Sequence, residues 1–214
     1  MKKDIPKKLY KYKSFGVHSL RMLSESEVYY SDPKLFNDPL DCKPSITVDV
    51  CLKEVENLWY QMLKQIRDEE SAKIIISNIR YLSTKYGDYK KDKKAEDYYI
   101  HMSENEIHKN INFEMQTRGV LSLAQHFNCP LMWSHYADNH KGICIEFDIT
   151  KCVDETPIAV NYDSPRSICM SDLIDWKVSK SNEAREKIER IYFYSKAPQW
   201  EYEKEGFLGT SNLS

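Results

Sequence analysis

The chain has 214 residues, with 41% hydrophobic and 30% charged side chains, a composition of folded globular proteins rather than disordered ones. Its net charge of −2, from 31 basic and 33 acidic residues, gives no electrostatic footprint for nucleic acid, and no apolar run reaches membrane-spanning length. The six glycines are too scattered to form a dinucleotide fingerprint or a phosphate loop.

The first thirteen residues carry six lysines and no apolar stretch of a leader peptide. The six cysteines (Cys42, Cys51, Cys129, Cys144, Cys152 and Cys169) form no CxxC pair, which points to reduced thiols in a cytoplasmic protein. Leu9 to Tyr12 reads as a strand and His18 to Ser24 as a short helix with Leu20 and Leu23 inward. Val28, Tyr29 and Tyr30 suggest a second strand, stopped by Asp32-Pro33. The stretch Phe36-Asn37-Asp38-Pro39-Leu40-Asp41 is turn chemistry, because short polar side chains bond their own backbone and proline fixes its φ.

Residues 51 to 83 have helical spacing through Val55, Leu58, Trp59, Met62, Leu63 and Ile66. A second helix is expected over 93–117, with Tyr99, Met102, Ile107 and Ile111 inward. Gly119 to Ala124 reads as a strand, and Pro130 opens a helix that Gly142 ends. Ile143 to Ile149 alternates as a strand, Ile158 to Tyr162 and Ile191 to Ser195 read as further strands, and a helix lies near 181–190. The expected fold is α+β: a single mixed-sheet domain over 1–214 with a helical insertion at about 51–117.

The densest polar and aromatic cluster is Trp133-Ser134-His135-Tyr136, followed by His140. His135 suits a general base or a hydroxyl partner, and Tyr136 and Trp133 suit stacking on a ring. Glu201, Glu203 and Glu205 alternate; an extended backbone would aim them together, and mutual repulsion would raise at least one pKa. Weaker patterns are a zinc site at His126, Cys129, His135 and His140, a Cys144–histidine nucleophile, and Mg²⁺ held by Asp38, Asp41 and Glu146.

Four stretches together are distinctive: Leu9 to Phe15, Phe36 to Asp41, MWSHYADNHKGICIEF from Met132, and KAPQWEYEKE from Lys196. They resemble the bacterial domain-of-unknown-function family 2971 (DUF2971). Two departures stand out: Lys13 occupies a position where the family has arginine, and the segment after Glu205 departs from the family's Trp-Arg and final strand. The resemblance therefore implies an altered or truncated C-terminus and an open sheet edge suited to self-association.

The order of parts also resembles ADP-ribosyltransferase-like folds. That likeness implies an NAD-using enzyme with His135, Tyr136, Glu203 and Glu205 as catalytic candidates. Tyr12, Lys13, Asn37, Asp38, Trp133, Ser134 and His140 would be its ligand-binding candidates, with Lys13 on phosphate. Against this stands a non-catalytic sensor or partner-binding module of a defence or stress system, suited by 15 tyrosines and four tryptophans. A metal-dependent nucleic-acid enzyme is the third reading.

Overall fold

Residues 5–88, 90–151 and 157–212 are described by the computed structural model, residues 207–212 by their backbone alone. In chain order the elements are β1 (Lys8–Lys13), α1 (Val17–Ser24), β2 (Ser45–Thr47), α2 (Leu52–Leu63), α3 (Glu69–Ser83) and α4 (Lys93–Met115). They continue with β3 (Arg118–Ala124), α5 (Pro130–Tyr136), β4 (Ile143–Asp148), β5 (Ile158–Ala159), β6 (Ser167–Cys169), α6 (Met170–Lys177), α7 (Asn182–Phe193) and β7 (Glu205–Asn212). The class is α+β. No helix among the described residues is long and apolar enough to cross a membrane.

Two compact units form. The first takes the chain up to Cys42, Gln116–Arg166 and the chain from Phe193 onward; the second takes Lys43–Met115 and Ser167–Tyr192. The second unit is helical. α4 presents Ala95, Tyr99, Ser103, Ile107, Ile111 and Met115 as one buried stripe of four-residue spacing, and it packs against α2 and α3. The 51–83 stretch is two helices, not one. Asp68 caps α3 by accepting from Ser71 N at 2.8 Å, so the chain breaks after α2 and leaves Ile66 exposed. β2 and β6 form a short parallel pair in this unit.

The first unit is built on a five-stranded sheet in the order β4-β1-β3-β7-β5. All its pairings are antiparallel; parallel strand pairing belongs to β2 and β6. Because side chains alternate along a strand, β1 serves two faces. Leu9 joins Leu121 and Leu123 on one, with Phe147 and Ile149 of the β4 end packed on them. Tyr12 joins Ala124, Met132 and Ala137 on the other, which carries α5.

Several expectations are corrected. In α1 the buried residue is Ser19, whose hydroxyl accepts from Gly16 N and donates to Gly16 O, both at 2.8 Å. That anchorage turns Leu20 and Leu23 outward, at 47% and 57% exposure. Val28 to Tyr30 form no strand; the pairing begins at Ser31, which exchanges two 2.9 Å backbone bonds with Val120. Residues 191–193 continue α7, since Ala184, Ile188 and Tyr192 extend one buried helical stripe. The segment after Glu205 is a strand after all: β7 lies between β3 and β5, and the sheet edges are β4 and β5. Cys42, Cys51, Cys129, Cys144 and Cys169 are free thiols, and Cys152 lies outside the described residues.

Gly142 is fixed by close approach. A Cβ there would lie 2.3 Å from Lys13 O and 2.9 Å from Ala137 backbone, after three left-handed residues, Asp138, Asn139 and His140. Gly142→Ala is expected to destabilise the protein by about 1–3 kcal/mol, the usual cost of forced overpacking, measured by urea unfolding.

Candidate active site

The site is assembled from three separate stretches of the sheet unit. The first is the turn at 37–41. Asp38 Oδ1 accepts from Leu40 N at 2.8 Å, and its Oδ2 accepts from Trp200 Nε1 at 2.8 Å. This ties the turn to the 3₁₀ helix Pro198–Glu203 and delivers Asp41. Trp200→Phe removes a hydrogen bond to a carboxylate, so a loss of about 1.5–3 kcal/mol in urea unfolding is expected.

The second stretch runs from Lys196 to Glu205. Glu201, Glu203 and Glu205 do not share an extended strand. The 3₁₀ helix ends at Glu203, Lys204 turns left-handed (φ 44°), and Glu205 opens β7. That single turn makes Glu203 and Glu205 converge and sends Glu201 to a different hollow beside Gln125 and Ala159. The third stretch is Ser122 on β3 and Tyr136 on α5.

At the centre is the buried ammonium of Lys196. Its Nζ lies 2.7 Å from Glu203 Oε2, 2.7 Å from Glu205 Oε2 and 3.4 Å from Asp41 Oδ2. Tyr136 OH donates to Glu203 Oε1 at 2.6 Å and accepts from Asn37 Nδ2 at 3.1 Å. Ser122 Oγ donates to Glu205 Oε1 at 2.7 Å. Asp41 is only 3% exposed, and its Oδ1 has no hydrogen-bond partner among the described residues.

Charge and burial decide the protonation states. Burial would lower the Lys196 pKa, but Glu205, Glu203 and Asp41 raise it well above the usual lysine range, so it stays a cation. Burial and the neighbouring Glu205 push Glu203 up to about 7, against the pull of Lys196 and Tyr136. Burial also acts to raise Glu205, but Lys196 and its hydrogen bonds to Ser122 and Glu203 overcome this and hold it below the usual glutamate range. Two carboxylates on one ammonium are thus driven apart, one poised near neutrality and one kept ionised.

A cavity of about 410 Å³ opens beside this cluster. Tyr136, Lys196, Glu205 and Asp41 line it, together with Lys11 and Lys13 of β1. Glu203 stands behind that wall and reaches it through the Tyr136 hydroxyl.

The candidates from the sequence fall as follows. His135, Tyr136, Glu205, Tyr12, Lys13 and Asn37 line the cavity. Tyr12 is held in the core, its hydroxyl donating to His126 O at 2.8 Å. Asp38, Trp133, Ser134 and His140 lie outside the lining. The phase of α5 turns Met132, His135 and Tyr136 to the cavity and the two residues between them away. Trp133 Nε1 donates to Phe127 O at 2.7 Å, and His140 sits past the helix end in left-handed backbone. Burial pushes the Cys144 thiol up to about 11, the reverse of activation. No group of three or more His, Cys, Asp or Glu among the described residues could hold a metal ion, the proposed zinc and Mg²⁺ sets included.

Lys196, Ser122 and Lys11 were not singled out as site residues by the sequence. The one available signal was a lysine two positions beyond the apolar run Ile191-Tyr192-Phe193-Tyr194, where burial demands a carboxylate partner.

Residues 132–206 match the model of the family DUF2971, described as a protein of unknown function. The chain is DUF2971-like over that stretch. No curated protein and no solved structure matches the chain. The DUF2971 match runs from α5 to the start of β7, and so takes in His135, Tyr136, Lys196, Glu203 and Glu205. It omits β1 and the 37–41 turn, which supply Lys11, Lys13 and Asp41.

Proposed function

We propose that the cavity of the sheet unit binds a small polar molecule and performs acid–base chemistry on it. The observation that carries this is Glu203: it is buried, poised near pH 7, and joined by a 2.6 Å hydrogen bond to a tyrosine hydroxyl in the cavity wall. Tyr136 gives or takes a proton at the ligand, Glu203 holds that proton behind it, and the ionised Glu205 stabilises positive charge developing in the cavity.

NAD-using, ADP-ribosyltransferase-like transfer is the form of this reading to test first. An oxocarbenium-like state would be stabilised by Glu205, Tyr136 and His135 would meet ribose and ring, and Lys13 would meet phosphate. The test is thermal unfolding with and without NAD, followed by nicotinamide release. A ligand at 100 times its Kd adds about 2.7 kcal/mol, a rise of roughly 5–11 °C at this size. No shift and no release with NAD would remove that form.

A second reading, the partner-binding module of a defence or stress system, is favoured by one observation. Phe15, Val17, Leu20 and Leu23 are all exposed around α1, a concentration of apolar surface suited to a protein partner or a second copy. Light scattering tests it. A monomer at high concentration, unchanged by Leu20→Ser, removes self-association.

A further inference from the structure

We propose that Lys11 is a nucleophilic amine that condenses with the carbonyl group of an aldehyde, a ketone or an open-chain aldose bound in the cavity. The proposal rests on the reading of the cavity as a ligand site and names its substrate class.

Lys11 touches both the cavity and the β3 backbone. It is half-buried on β1, lines the cavity, and donates to Ser122 O at 2.7 Å. Among the described residues no carboxylate lies within ion-pair distance of its Nζ. An ammonium carries three N–H donors and, when fully buried, recruits carboxylates, as Lys196 does nearby; the half-buried Lys11 shares that wall of the cavity with one backbone acceptor. One backbone acceptor suits a neutral amine, which donates one N–H there and keeps its lone pair for the cavity.

The surroundings act the same way. Lys13 on its own strand and Lys196 are like charges, Glu205 of β7 and Glu203 are the opposing ones, and burial outweighs them all, leaving Lys11 pushed down to about 8. A lysine desolvated beside other cations is the recurrent way to make an amine nucleophilic at neutral pH. At pH 7 about one Lys11 side chain in ten would be neutral, against about one in three thousand for an ordinary lysine.

The chemistry balances without a further reagent. The Nζ lone pair forms a C–N bond to the carbonyl carbon while the C=O π pair moves to oxygen, which takes a proton from the Tyr136–Glu203 relay. Nitrogen gives up its two protons in turn, one returning to the relay and one reaching the carbinolamine hydroxyl, whose C–O bond breaks as the nitrogen lone pair forms the C=N bond and water leaves. The product is an imine at Lys11, and the relay regains the proton it lent. Ser122 links the parts: its carbonyl holds Lys11 and its hydroxyl holds Glu205.

The experiment treats the full chain with glyceraldehyde and cyanoborohydride at pH 7 and maps alkylated lysines by peptide mass spectrometry. Lys11 is expected to be modified at least tenfold faster than Lys13 and the surface lysines Lys53 and Lys73. Lys11→Met should abolish that fast phase, and Glu203→Gln should slow it while leaving Lys11 the preferred site. Modification of Lys11 at the surface rate would overturn the proposal, whatever NAD does. So would saturable protection by inorganic phosphate with no fast phase, which would make Lys11 an anion anchor. If the fast phase survives Glu203→Gln undiminished, the acid–base reading fails and the nucleophile stands.

Discussion

Lys196→Met is expected to cost about 3–5 kcal/mol, the range for removing one partner of a buried ion pair, or roughly 6–20 °C in Tm for a chain of this length. The reason is what it leaves behind. Glu203, Glu205 and Asp41 are all buried, and the ammonium within 2.7–3.4 Å of each is their common counter-charge. Without it, burial and mutual repulsion raise all three pKa values. The variant should therefore regain stability as pH falls from 7 to 5 and the carboxylates take up protons. Adding Glu205→Gln removes one stranded charge, so Lys196→Met/Glu205→Gln should be more stable at pH 7 than Lys196→Met alone. Additive losses in that pair, measured by urea unfolding at pH 7, would mean the ammonium does not offset the carboxylates.

The legible parts of the sequence were those with a period. β4 follows from alternation, and α4 from its helical stripe, because a half-buried element must repeat its apolar side, whereas β3 is covered on both faces and carries no such period. Ile-Tyr-Phe-Tyr is strand-like in composition, yet the stripe through Ala184, Ile188 and Tyr192 makes residues 191–193 the last turn of α7, and extended pairing is left to Ser195. α1 lies where its sequence puts it, but the buried Ser19, bonded to Gly16, sets its rotation rather than its leucines.

For the site, the glutamates were found by an argument that does not hold. Their alternation suggested one extended strand, whereas a left-handed residue between a 3₁₀ helix and β7 brings two of the three together. The raised pKa of Glu203 comes first from burial, which the alternation does not reveal, and only then from repulsion by Glu205. Asp41 and Lys196 could not be paired in advance, because nothing local marks two residues so far apart as neighbours. The same holds for Lys11, whose significance lies in its place on the cavity wall beside Ser122.

Glu203→Gln separates a proton-holding role from a structural one. If Tyr136 works through Glu203, loss of a general acid–base should lower kcat by about 10²–10⁴-fold and remove the limb of the pH profile near 7, with little change in ligand affinity. Tyr136→Phe should give the same loss, and the double variant should fall no further, because the two act as one relay. The stability profile carries an independent sign. Glu203 has its folded pKa raised, from an ordinary 4.5 to about 7. The native state therefore binds more protons than the unfolded state between those values, and wild-type stability falls as pH rises through that window. The full shift is worth about 3 kcal/mol at most. Glu205 has its folded pKa lowered, so its contribution is present above the usual carboxylate range and is lost in acid. Gln at 203 cannot titrate. The variant should show a shallower profile from pH 5 to 7, its remaining slope supplied by Asp41, whose pKa burial also raises, and keep the acid limb that Glu205 supplies. A Glu203→Gln protein with the wild-type slope between pH 5 and 7 would place the neutral-range proton elsewhere, and the relay with it.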